Sequence, residues 1–138
     1  MTERQQYTVV DRSRSIIFTG TLLGHASSAG ENKNRWTEIT IYLTDGGQYI
    51  VAGIGQSTVK KGDLAWDKHL GHEVLAKEDE TPHCWVHVCD SAEGAVSMLH
   101  QKGNDGVRYI TDVARAALEA AILQNAALAD AFLVEEIA

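Results

Sequence analysis

Residues 36–54 limit the fold of this chain more than any other stretch. In Trp36-Thr37-Glu38-Ile39-Thr40-Ile41-Tyr42-Leu43-Thr44, Ile39, Ile41 and Leu43 fall on one side of an extended chain and Glu38, Thr40 and Tyr42 on the other. That alternation predicts a half-buried antiparallel strand, apolar inward and polar outward. Asp45-Gly46-Gly47 follows at once, and Asp-Gly favours positive φ in a tight hairpin. Gln48-Tyr49-Ile50-Val51-Ala52-Gly53-Ile54 then reads as the return strand. A chain holding this hairpin must build an antiparallel sheet and cover its apolar face.

The remaining segments supply both parts. Tyr7–Val10 and Ser15–Leu23 are rich in β-branched and aromatic residues and read as strands. Gly24 to Asn34 has the composition of a loop, and Gly62 to Gly71 fits a short helix carrying Leu64, Trp66 and Leu70. Glu78-Asp79-Glu80 reads as a solvated acidic run, and Pro82 introduces a strand at His83-Cys84-Trp85-Val86-His87-Val88-Cys89. From Ser91 the period changes: Ala92, Ala95, Val96 and Leu99 recur at helical spacing behind a serine N-cap. Gly103–Gly106 ends that helix, a second runs from about Thr111 to Gln124 with Asp112, Arg115 and Glu119 as its polar stripe, and Asn125 caps a third carrying Leu128, Phe132 and Leu133. Strands first and helices last predict an α+β fold. We expect an antiparallel β-sheet of about five strands in the N-terminal two-thirds, packed by two to three C-terminal α-helices. The whole forms a single domain over 1–138, with 1–90 mainly strands and 91–138 mainly helices.

Charge narrows the partners. The net charge is -7, but residues 1–62 hold seven Lys/Arg against five Asp/Glu, whereas residues 63–138 hold five against fourteen. Affinity for duplex DNA needs basic patches that release counterions, so duplex DNA is not expected as a ligand. The acidic half suits a basic protein partner, or plain solubility. No apolar run approaches the ~20 residues of a membrane span. Met1–Gln6 is polar with no apolar segment after it, so neither membrane nor secretory signal is expected. Cys84 and Cys89 lie five apart in one strand, on opposite faces and about 16 Å apart, too far for a disulfide. Reduced thiols and a cytoplasmic location follow as expectations.

Candidate chemistry concentrates in 83–89. His83, Trp85, His87 and Cys89 project from one face; Cys84, Val86 and Val88 project from the other and read as core. His87 and Cys89 are i, i+2 neighbours able to share a metal, and His69 and His72 would share a face of a helix. A tetrahedral zinc site of His69, His72, His87 and Cys89 is geometrically allowed, although its spacing matches no standard zinc pattern. The plain alternative is a strand whose outward face is rich in His and Trp. A Cys–His dyad lacks an orienting third group and an oxyanion hole. Gly53-Ile54-Gly55-Gln56-Ser57 is a fragment of a phosphate loop and reads as a strand-ending turn. Arg12, Arg14, Arg35, Lys60 and Lys61, with Trp36 and Tyr42 as stacking groups, are too few for a nucleic-acid surface. Glu135-Glu136 reads as surface. Trp36, Tyr42, Tyr49 and Trp85 are the candidate ligand or partner surface, if a cavity opens among them.

Phe18-Thr19-Gly20-Thr21-Leu22-Leu23, followed by the Trp36-Thr37-Glu38 strand, the Gly46-Gly47 hairpin and the aromatic return strand at Tyr49, resembles small uncharacterised proteins of actinobacteria, including the sheet region of the EXLDI family. Val88-Cys89-Asp90-Ser91-Ala92 before a helix is similar as well. The resemblance spans residues 16–57 and 86–100. It implies a fold and an accessory gene of the kind carried by plasmids or phages, and it carries over no activity. The expectation is therefore a small cytoplasmic non-enzymatic binding or accessory protein. It would use its acidic C-terminal half to contact a protein partner, with no cofactor, and is compatible with homo-oligomers. A zinc-binding module or metal-dependent enzyme, and a small-ligand or nucleotide sensor, are the alternatives.

Overall fold

The computed structural model describes residues 4–30 and 34–133; the side chain of Leu133 and the Glu135-Glu136 pair lie outside the described residues. In chain order the elements are β1 (Gln5–Asp11), β2 (Arg14–Ser27), β3 (Arg35–Thr44), β4 (Tyr49–Ser57), β5 (Leu64–Asp67), β6 (His72–Leu75), β7 (His83–Cys89), α1 (Ala92–Leu99), β8 (His100–Lys102), β9 (Arg108–Ile110), α2 (Asp112–Ile122) and α3 (Ala126–Leu133). The fold is α+β, as expected. A five-stranded antiparallel sheet of order β1-β2-β3-β4-β7 carries the three helices on one face, and β5–β6 and β8–β9 form separate two-stranded hairpins.

The β3–β4 hairpin pairs Leu43 with Tyr49 and Arg35 with Ser57. Its positive φ falls on Gly47, at 84°, one residue later than Asp-Gly suggested. Gly47 N–H donates to Thr44 O at 3.0 Å, and Thr44 N–H to Gln48 O at 2.8 Å. This is the arrangement of a turn closed by a left-handed glycine.

Both faces of the sheet are buried. On the helix side, Ile39, Ile41, Tyr49, Val51 and Cys89 meet Ala95, Leu99, Ala117, Leu118 and Leu128. Helix α2 lies directly on β2, where a Cβ added at Gly24 would come within 2.4 Å of Ala117 O. The opposite face is covered by the chain itself. The strand β2 runs fourteen residues with a bulge between Leu22 and Gly24, so its first half curls back with β1 over the sheet. Val9, Tyr42, Ile50 and Val86 form a second core there, with Tyr7, Ile16 and Phe18 packed against it. Tyr42 is therefore buried, not outward, and β2 occupies Gly24–Ser27, which composition assigned to a loop. The curl brings β1 to β7: Arg12 N–H donates to Cys84 O at 2.8 Å, and Val86 N–H donates to Asp11 Oδ1 at 3.3 Å.

The helix starts follow the sequence. Gly94 N–H donates to Ser91 Oγ, Ala114 N–H to Thr111 Oγ1 and Leu128 N–H to Asn125 Oδ1. The same Asn125 Oδ1 accepts from the Tyr49 hydroxyl at 3.1 Å, tying α3 to β4. Residues 62–71 are not helical: they form β5 and the turn into β6. The β4 strand runs on through Gly55 to Ser57 instead of turning at Gly53, and β8–β9 flanks the Gly103–Gly106 turn after α1.

Candidate functional site

The sequence candidates scatter. His69 sits in the β5–β6 turn and His72 opens β6, so the helical spacing proposed for them does not exist. His87 is exposed on β7, with its ring 5.5 Å from that of Trp85, and Cys89 is buried against the helices. Burial first, and the neighbouring Asp90 carboxylate second, push the Cys89 thiol up. Among the described residues, no group of three or more His, Cys, Asp or Glu is placed to hold a metal ion. The residues named for zinc do not fit it as a set.

The aromatic set divides as well. Tyr42 and Tyr49 are core residues on opposite faces of the sheet. Burial pushes the Tyr42 phenol up, assisted by Tyr7 and opposed by a hydrogen bond with Thr40. Trp85 lies across Gly53, where an added Cβ would stand 2.0 Å from the indole, and packs against the helix-side core. On the other face of β7 only Val86 is buried; Cys84 is half-buried and Val88 exposed, which corrects the reading of all three as core. Of the four aromatics, Trp36 lines a cleft.

That cleft measures about 1040 Å³ and separates the β5–β6 hairpin from the ends of β3 and β4. Trp36, Gln56 and Ser57 form one wall, Ala65, Trp66 and Val74 the other, and residues 77–81 lie along it. Arg35 holds the walls together. Its Nε and Nη2 donate to the Glu80 carboxylate at 2.8 and 2.5 Å, and its Nη1 donates to Trp66 O at 2.8 Å. Ser57 Oγ donates to Glu80 Oε1 at 2.6 Å. Arg35 and then Ser57 hold the Glu80 carboxyl down at about 2. The acidic run is thus only partly solvated: Glu80 is clamped and Asp79 Oδ1 accepts from Lys61 N–H at 2.9 Å, while Glu78 is exposed. Asp67 Oδ1 accepts from Leu70 and His69 N–H, which closes the β5–β6 turn and keeps that carboxyl low.

The hairpin reverses the usual placement of apolar groups. Ala65 and Val74 are cross-strand partners on its inward face, whereas Leu64, Leu75 and Trp66 share the outward face, from which Trp66 and Leu75 also line the cleft. Leu64 is 58% exposed, Trp66 57%, Leu75 64%, and Leu70 in the turn 60%. Sequence reasoning missed this surface because it placed Leu64, Trp66 and Leu70 on a helix.

A second polar group also escaped it. On the β1-facing side of the sheet, His25 Nδ1 lies 2.8 Å from Thr40 Oγ1, and His25 Nε2 lies 3.8 Å from Glu38 Oε1. Trp36 Nε1 donates to Glu38 Oε2 at 3.2 Å. Hydroxyl, imidazole and carboxylate stand in line, as a general base would need. Thr40, however, is mid-strand in β3, which is paired on both sides, so its neighbouring backbone N–H groups serve the ladders. The group acts as a polar cross-strand tie.

Comparison of the chain with protein-family models, with curated proteins and with solved structures gave no match.

Proposed function

We propose that this chain is a cytoplasmic, non-enzymatic accessory protein, of the kind mobile elements carry, that holds a protein partner on the β5–β6 hairpin. One observation carries the reading: Leu64, Trp66, Leu70 and Leu75 are each more than half exposed on a hairpin of twelve residues, beside an open cleft. Single apolar side chains scattered on a surface need no explanation, but four large ones exposed on one short hairpin with acidic surroundings mark an interaction site. Tryptophan is also among the residues that dominate binding energy at protein interfaces. The hairpin lies in the acidic half of the chain, so the reading agrees with the charge layout. The cleft is at the upper limit of small-molecule pockets and opens widely to solvent, which suits a polypeptide better than an enclosed ligand.

Photo-crosslinking in cells tests this. With p-benzoylphenylalanine at Leu75, a discrete protein adduct is expected. The same group at Glu119, on the exposed stripe of α2, should give none, and Trp66→Ala should remove the Leu75 adduct. Adducts of equal yield from both positions, or none from Leu75, would overturn the reading.

A further inference from the structure

We infer that the cleft between the hairpin and the sheet receives an extended, arginine- or lysine-bearing segment of that partner. Its cationic heads would lie beside Asp67, Glu78 and Asp79, and its aliphatic stems along Trp36 and Trp66. The inference rests on the reading of the hairpin as a partner surface and adds the chemistry of the occupant.

Charge complementarity selects it. Five ionic side chains besides Arg35 line the cleft: Asp67, Lys77, Glu78, Asp79 and Glu80. Arg35 and Glu80 neutralise each other through a two-pronged ion pair, and the remaining guanidinium nitrogen is occupied by Trp66 O. What the cleft offers an incoming chain is therefore three carboxylates against the single ammonium of Lys77. Asp67, half-buried, and Asp79, exposed, line the cleft while accepting backbone N–H groups, and Glu78 is exposed as well. An acidic segment would meet repulsion there, and an apolar one would leave the carboxylates facing a dry surface. The two indoles add to the preference, because an arginine or lysine head over an indole face is attracted by its quadrupole while the stem covers apolar area. Trp66 is exposed enough to receive such a contact.

Titration of the full chain with defined peptides tests the inference. The probes are a nonapeptide alternating arginine with glycine, the same peptide with citrulline in place of arginine, and the same peptide with glutamate. Tryptophan emission reports binding. The arginine peptide should bind, citrulline should weaken it by about tenfold at low salt, and raising salt from ~50 to ~300 mM should weaken it further. Trp66→Ala should cost about fivefold. Glu78→Gln, a solvent-exposed change that leaves the Arg35–Glu80 clamp in place, should cost about twofold. Glu119→Gln should change nothing, and retained helical circular dichroism shows that each variant is folded. Equal binding of the arginine and citrulline peptides, a preference for glutamate, or indifference to both Trp66→Ala and Glu78→Gln would overturn the cationic occupant. If the Leu75 crosslink persists while the arginine peptide fails, the partner surface stands and only its proposed chemistry falls. If both fail, both fall.

Discussion

Gly53 and Trp85 face each other across β4 and β7, and the indole occupies the space a side chain at 53 would need. Covering a strand glycine with an aromatic ring from the next strand keeps the ladder regular and hides the bare backbone. Gly53→Ala would place a methyl inside the ring. We expect a loss of about 1–3 kcal/mol in urea denaturation, together with a red shift of tryptophan emission as the indole lifts from the core. At this scale the sequence was readable only where one residue does one job. Ser91 and Asn125 were identifiable as caps because a short polar side chain ahead of a helical period has few other uses. Tyr42 was not, because a phenol at an alternating position looks the same whether its face meets water or a second layer of chain.

Among elements, the β5–β6 hairpin shows what local pattern misses. Its large apolar groups point outward and its small ones inward, so the alternation gave no sign of a buried side. What holds it in place comes from residues distant in sequence: Arg35 from β3, Ser57 from β4 and Glu80 from the segment before β7. The Glu80 carboxyl is depressed to about 2 from an ordinary 4.5. A carboxylate depressed in the folded state adds stability that is complete above its unfolded pKa and is lost as pH falls through the folded one. The clamp should therefore hold above pH ~4.5 and release between there and ~2. Hydrogen exchange at Ala65–Asp67 and His72–Leu75 should speed up in that window. Glu80→Gln should open the hairpin at neutral pH and remove the acid response. Because both side chains are partly exposed, the global cost should stay at ~1 kcal/mol or less.

The whole molecule is a curled sheet with a core on each side. The sheet and its helical cover were legible from the change of period at Ser91, which separates strand alternation from helical repeats. The curl was not, because it depends on a bulge at Leu22–Gly24 and on β1 reaching β7. That contact also protects an edge: the Asp11 carboxylate and the Arg12 N–H occupy backbone groups of Val86 and Cys84 that would otherwise stand open to another strand. Asp11→Ala should cost ~1 kcal/mol in urea unfolding. It should also raise self-association in analytical ultracentrifugation; an unchanged sedimentation profile would show that the edge is protected by other means.

The meeting of β1 with β7 joins residues some seventy-five positions apart. During synthesis the first strand must therefore wait, without its final neighbour, until the chain beyond residue 89 has left the ribosome. Pairings between such distant segments are slow to form because the intervening chain must be ordered first. At ordinary rates of translation, several seconds separate the emergence of β1 from that of its final neighbour β7.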